Sequence, residues 1–138
     1  MHLRAMTTGD IAGALALWRS CEGVGLNEGD TVEELTLFLE RNPGLSFAAF
    51  ADDKMVGAVL AGHDGRRGFL YHLAVDAGCR RQGLGQALAR EALAALRRAG
   101  IVKCHVMVFR DNHAGHAFWS TMKWRKREDI ATYTGVLE

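Results

Sequence analysis

Hydrophobic positions recur along this chain with two periods that take turns, one of about two residues and one of about 3.6. Met1 to Met6 alternates as a short strand does, and Thr7-Thr8-Gly9-Asp10 follows with residues that cap a helix. Ile11, Ala14, Leu15 and Trp18 then repeat at helical spacing. Residues 21–30 hold three glycines and no period, which predicts a mobile connection. Thr31-Val32-Glu33-Glu34 has the form of a capping box, and Val32, Leu35, Phe38 and Leu39 make the buried side of a second helix ending at Asn42-Pro43-Gly44.

Leu45 to Ala51 and Met55 to Ala61 read as two strands joined tightly at Asp52-Asp53-Lys54. A second turn, His63-Asp64-Gly65-Arg66-Arg67-Gly68, leads into the apolar segment Gly68 to Val75. A long helical pattern then runs to Ala99, with Gly85, Leu88, Ala89, Ala92, Leu93 and Leu96 on one face. Gln86, Arg90, Glu91, Arg97 and Arg98 occupy the other, and Gly100 is a natural stop. Ile101 to Phe109 predicts a strand packed through Val102, Val106 and Val108. Asn112 to Met122 predicts a helix, and Trp124 to Val136 one or two final strands. The order β-α-α-β-β-β-α-β-α-β(-β) describes an α/β fold, a mixed sheet flanked by helices.

Composition narrows the functional classes. A length of 138 residues predicts a single domain, 1–138, and 49% hydrophobic with 24% charged residues is ordinary for a soluble globular protein. A net charge of +1 gives no electrostatic footprint for nucleic acid, and Arg90, Arg97, Arg98 and Lys103 read as the solvated back of a helix. No apolar run reaches the ~20 residues a membrane span needs, and the N-terminus lacks a signal-peptide core. Three widely spaced cysteines, Cys21, Cys79 and Cys104, predict reduced thiols and a cytoplasmic setting. Histidine and cysteine spacing predicts no metal site.

The stretch that carries chemistry is Arg80-Arg81-Gln82-Gly83-Leu84-Gly85-Gln86, at the corner between a strand and the long helix. Glycines there let a ligand approach the backbone, and the first helical turn offers unpaired N–H groups with a partial positive charge. Two arginines add fork-shaped donors, so the corner suits a phosphate or pyrophosphate. A Walker loop from Gly78 fails because Leu84-Gly85 follows Gly83, where a lysine and a hydroxyl residue belong. A dinucleotide fingerprint from Gly83 fails at Leu88.

The corner does match the pattern Arg/Gln-x-x-Gly-x-Gly/Ala, and in this the chain resembles the GNAT superfamily of N-acetyltransferases. The predicted element order resembles that fold from end to end. The segment Asn112 to Trp124 is similar to the family's Asn-x-x-Ala-x-x-Phe-Tyr-x-x-x-Gly-Phe, with Gly115, Trp119, Lys123 and Trp124 as departures. The His63-to-Val75 stretch is similar to that of small single-domain bacterial members.

The resemblance implies transfer of acetyl from acetyl-CoA, as cosubstrate, to a primary amine by direct attack. It implies that the backbone of Leu73, Ala74 and Val75 pairs with the pantetheine arm, with the Val75 N–H polarising the thioester carbonyl. Amides of Gln82, Gly83, Leu84, Gly85 and Gln86 would hold the pyrophosphate beside Arg80 and Arg81. Asn112 would hydrogen-bond the pantetheine, and Phe118 with Trp119 would pack on it. Strand alternation puts Phe69, Tyr71, Leu73 and Val75 on one face and His72 on the other. Tyr71 thus falls where relatives often carry a catalytic glutamate or histidine and is expected at the active site, as a base or by shaping the pocket or ordering water, while His72 takes a structural role. Trp119 replaces a tyrosine that protonates the leaving thiolate in many relatives, so no general acid is assigned. Cys79 has no partnered base, which argues against a covalent intermediate.

Glu22, Glu28, Asp30, Glu33 and Glu34 form an acidic stretch that attracts a cationic amine or simply caps a helix. The expected acceptor is a small-molecule or peptide amine, and a homodimer is compatible with this picture. Two other readings stay open: a non-catalytic acetyl-CoA sensor or partner-binding module of the same fold, and a nucleotide-binding module built on Gly83 to Gly85.

Overall fold

Capping decides where the first helices begin. In the computed structural model, which covers residues 1–138, Thr7 accepts the role of N-cap for a 3-10 turn, Thr8–Asp10, that runs into α1, Ile11–Ser20. Asp10 closes this start by accepting from Thr7 N–H at 2.8 Å and from Arg4 at 2.7 and 2.9 Å. The capping box read at Thr31 forms: Glu34 N–H donates to Thr31 Oγ1 at 3.1 Å and α2 runs Val32–Arg41. Val32 is nevertheless 51% exposed, since it stands at the first position of the helix, before the stripe of Leu35 and Leu39 reaches the core.

The residues group into two compact units, Met1–Met107 and Val108–Glu138. In the first, β1 (His2–Ala5), β2 (Phe47–Ala51), β3 (Lys54–His63), β4 (Gly68–Val75) and β5 (Cys104–Val106) form one sheet in sequence order. The β1–β2, β2–β3 and β3–β4 pairs are antiparallel, and β4–β5 is parallel. The crossover between β4 and β5 contains α3, Leu84–Arg98.

Period-two alternation sorts the sheet's neighbours. Ala48, Ala58, Leu60 and Ala74 belong to a buried cluster with Leu15 and Trp18 of α1 and Leu35 and Leu39 of α2. Gly57, adjacent to Ala58, faces the opposite way, and a Cβ placed on it would lie 2.8 Å from Leu88 of α3. Gly68 does the same under Leu96 and Ile101, at 3.1 and 3.3 Å. Two glycines therefore set how closely α3 lies on the sheet. The helix buries Leu84, Leu88, Ala89, Ala92, Ala95 and Leu96. The stripe is rotated slightly from the expected one, with Leu84 and Ala95 inside while Gly85 and Leu93 are half-buried. Each fully buried leucine contributes roughly 1.5–3 kcal/mol through the area it removes from water.

Two expected strands differ. Residues 101–109 form only the three-residue β5, and Val102 is 91% exposed. The second unit contains α4, His113–Thr121, and no strand. Ile130, Tyr133, Val136 and Leu137 lie in no ladder and all are exposed.

Adding a branched side chain at Gly57 should push α3 off the sheet. Gly57→Val is expected to lose about 1–3 kcal/mol, read as a lower urea midpoint. An unchanged midpoint would mean that α3 has room to lift at no cost.

Candidate functional site

Strand β4 carries an irregularity that alternation did not foresee. Its ladder with β3 pairs Leu60 with Tyr71 and Ala58 with Ala74, so Val59 alone faces both His72 and Leu73. This is a β-bulge, and His72 takes its left-handed backbone position at φ 56°. A non-glycine residue there costs on the order of 1–3 kcal/mol. The site offsets it: His72 Nε2 lies 2.9 Å from Asp30 Oδ1, and its ring meets the edge of the buried Trp18 at 5.1 Å.

The bulge corrects the expected faces. Tyr71 packs toward α2, its ring 6.1 Å from and nearly perpendicular to that of Phe38. His72 faces α1 through Trp18, so it shares the α1–α2 side with Tyr71 where strict alternation would separate them. Ala74 lies on that side too, and Val75, paired with Gly57, points to the α3 side with Leu73. Tyr71 and Val75 therefore lie on opposite faces, because the extra residue shifts the alternation by one.

Beyond the bulge one edge of β4 is open. The β4–β5 ladder ends at Leu70 with Val106, so Tyr71 to Val75 have no strand on that side. Asp76 N–H donates to Val56 O at 2.8 Å, which makes the next pair, Val75 with Gly57, a non-hydrogen-bonded one. The N–H and C=O of Val75 thus point away from β3, into the open edge. The carbonyl is taken by Arg80 Nε at 3.2 Å and by the Cys21 thiol at 3.8 Å. The amide is not.

The glycine corner lies just beyond. Asp76 caps a 3-10 turn, Ala77–Cys79, by accepting from Gly78 N–H at 3.2 Å. Arg81 and Gly83 then take left-handed conformations at φ 65° and 76°, and Gly83 becomes the N-cap of α3. No side chain caps this helix, and its first bond runs from Ala87 N–H to Gly83 O. The amides of Leu84, Gly85 and Gln86 consequently have no acceptor within the helix. Arg80, Arg81, Gln82 and Gly83 are exposed around them, and Cys79 is half-buried. Arg80 is the one member committed elsewhere, to the Val75 carbonyl.

Tyr71 makes no hydrogen bond to protein, and burial pushes its phenol above the ordinary value of 10. The neighbouring Cys104 thiol is pushed up to about 11 by the same loss of water. Of the acidic stretch, two members serve structure: Asp30 holds His72 and accepts from Asn27 N–H, and Glu34 closes the α2 capping box. In the second unit Asn112 is the N-cap of α4, its Oδ1 accepting from Gly115 N–H at 3.0 Å. A Cβ at Gly115 would meet Asn112 Nδ2 at 2.7 Å, which accounts for glycine at that position. The Trp119 ring lies tilted by 40° against Trp124 at 4.6 Å and meets Phe118 edge-on at 4.9 Å.

The sequence did not single out His72 with Asp30 as a pair, nor a cavity of about 240 Å³ that Tyr71 shares with α2. Its signal was present: Phe38 and Arg41 stand three apart on α2 and so share a face.

Comparison with known proteins identifies the family and the fold. The model of the acetyltransferase (GNAT) family matches residues 11–124. An acetyltransferase of Pectobacterium atrosepticum is 31% identical over the whole of this chain and 97% of its own. Among solved structures, a PaiA N-acetyltransferase from Thermoplasma acidophilum in complex with coenzyme A superposes with a TM-score of 0.76 at 20% identity, over 88% of this chain and 87% of that one. An aminoglycoside 6'-N-acetyltransferase from Acinetobacter haemolyticus does so at 0.77 and 17%, over both chains in full. The two structures share the fold, and the family match over most of the sequence, with a full-length relative above 30% identity, makes this chain a member of the GNAT acetyltransferase family.

Proposed function

We propose that this protein moves an acetyl group from acetyl-CoA to a primary amine, that residues 1–138 act as one functional domain, and that it works in the cytoplasm. The observation that carries the reading is the run of unengaged backbone donors. It begins at the Val75 N–H on the open edge of β4 and continues in the exposed amides that start α3. A diphosphate fits the helix start, where free N–H groups and the helix dipole favour an anion. An extended amide-bearing arm fits the unpaired edge as an added strand would.

The bound thioester would supply the activated acetyl group. Every other role falls to this chain's own atoms. The Val75 N–H is aimed where negative charge develops on a carbonyl oxygen, and one such donor contributes about 2.7–4 kcal/mol to a comparable step. Arg80 joins the two parts of the site, since its Nε holds the Val75 carbonyl while its remaining N–H groups face solvent beside the corner. Arg81 adds charge. Leu73 and Ala74 continue the strand edge.

Tyr71, held as a neutral phenol by burial, serves as a hydrogen-bond partner for the acceptor or an ordered water and not as the base. Trp119 has no acidic proton to give a leaving thiolate, whose parent thiol has pKa ~8.5 and departs with a proton from water. The same feature favours a second reading, a CoA-binding module without turnover.

Gly85→Asp tests the corner without endangering the fold, because a carboxylate in the first helical turn stabilises the helix while repelling a diphosphate. Calorimetric CoA affinity should fall at least a hundredfold with an unchanged melting temperature; unaltered affinity would remove the assignment. Release of CoA thiol over a panel of amines separates turnover from binding alone. Tyr71 gives an independent check in Tyr133→Phe, where it is the only tyrosine. Its ultraviolet titration should have a midpoint above 10. Because the folded value is raised, the associated stability is present at neutral pH and is lost as pH climbs through that midpoint. A midpoint below 10 would contradict the buried phenol.

A further inference from the structure

The cavity beside Tyr71 has a one-sided chemistry. It measures about 240 Å³, and Phe38, Phe69 and Tyr71 form its apolar walls. The Phe69 and Tyr71 rings lie nearly parallel at 6.0 Å, and Phe38 stands across Tyr71. Its polar groups are Arg41, Asn42, His63, Asp64 and the Tyr71 hydroxyl.

The acceptors among these are largely used within the protein. Asn42 Oδ1 takes the His63 N–H at 3.2 Å, and its amide donates to Phe38 O at 3.1 Å. Asp64 Oδ1 takes the Arg66 and Arg67 N–H groups at 2.9 and 2.8 Å, building the turn. His63 Nδ1 accepts from Gly65 N–H at 3.0 Å, which leaves Nε2 as the protonated nitrogen of the ring. Three donors remain without partners: His63 Nε2–H, the Tyr71 hydroxyl, and the exposed Arg41 guanidinium, which takes part in none of the chain's ion pairs.

Apolar walls with three free donors, one of them a planar cation, face a single unpartnered acceptor, Asp64 Oδ2, whose carboxylate is already shared by two turn amides. Donors in excess ask for a ligand that brings its own acceptors, and the guanidinium fork matches a carboxylate. We infer that this cavity binds the carboxylate of a small organic acid with an apolar body, through Arg41, His63 and Tyr71. The identity of that acid rests on the acetyltransferase reading: it is the acceptor, an amine that also carries a carboxylate. Tyr71 precedes Val75 by four residues, roughly 13 Å of extended strand at ~3.3 Å per residue and less across the bulge. The Tyr71 end of the cavity is therefore on the order of 10 Å along the strand from the Val75 amide, and His63, paired with Gly68, lies farther from it.

The probes are 3-phenylpropanoate and its amide, matched in shape and different in charge. Titrated into the full chain and followed by calorimetry and by the ring resonances of His63 and Tyr71, the carboxylate should bind about tenfold or more tightly than the amide. Arg41→Gln, at an exposed position, should erase that preference and leave CoA affinity unchanged. Equal binding of the two probes, binding of neither, or a preference that survives Arg41→Gln would overturn the inference. A helix-end arginine serving only the dipole gives that last pattern. CoA titration of the same samples keeps the two ideas apart. Carboxylate preference without CoA binding supports the cavity and sinks the acetyltransferase reading, and CoA binding without the preference does the reverse.

Discussion

One extra residue in β4 governs the geometry of everything around it. His72 occupies a backbone conformation that a β-strand residue with a Cβ avoids, and it is kept there by a carboxylate on one side and a tryptophan edge on the other. The consequence is a strand with two halves. Up to Leu70 it is a paired member of the sheet, and after His72 its outer edge presents backbone groups to no strand at all. Unpaired main-chain donors are expensive to bury and are therefore usually edge features that something else completes. Here they lead directly into a helix start whose amides are equally unengaged.

The placement of α3 follows from the opposite device, the absence of side chains. Gly57 and Gly68 leave room for Leu88 and Leu96 to settle against the strands, which fixes the axis of the helix and so the position of its first turn. Arg80 then ties that turn to the β4 edge through the Val75 carbonyl. The free amides at the start of α3 and the free Val75 N–H come from separate elements, joined by a short 3-10 turn and one guanidinium. Neither depends on an unusual side chain, because the donors are backbone.

The cavity beside Tyr71 is built differently. The half-buried aromatic residues of α2 and β4, and the donors at their rim, belong to the α1–α2 face of the sheet, whereas Val75 belongs to the other. The bulge is what allows one strand to serve both. Of the acidic stretch before α2, two members are engaged within the protein: half-buried Asp30 holds His72, and exposed Glu34 closes the helix start.

Local patterns were enough for the elements whose signals are local. The capping box at Thr31, the glycine corner before Leu84, the strands around Asp52 and the family motif at the α3 start all stood in the sequence, because each is set by residues within a few positions of one another. Period two and period 3.6 likewise gave the core faces of α1 and α3. What required the tertiary structure was everything decided between distant segments. Alternation could not see that Val59 faces two residues, so it put Tyr71 and His72 on opposite sides and Tyr71 with Val75. Trp124 to Val136 read as one or two final strands, but a strand exists only where another edge pairs with it, and none does. Phe38 carried the mark of a core residue and lines a cavity, since burial depends on what the facing elements leave unfilled.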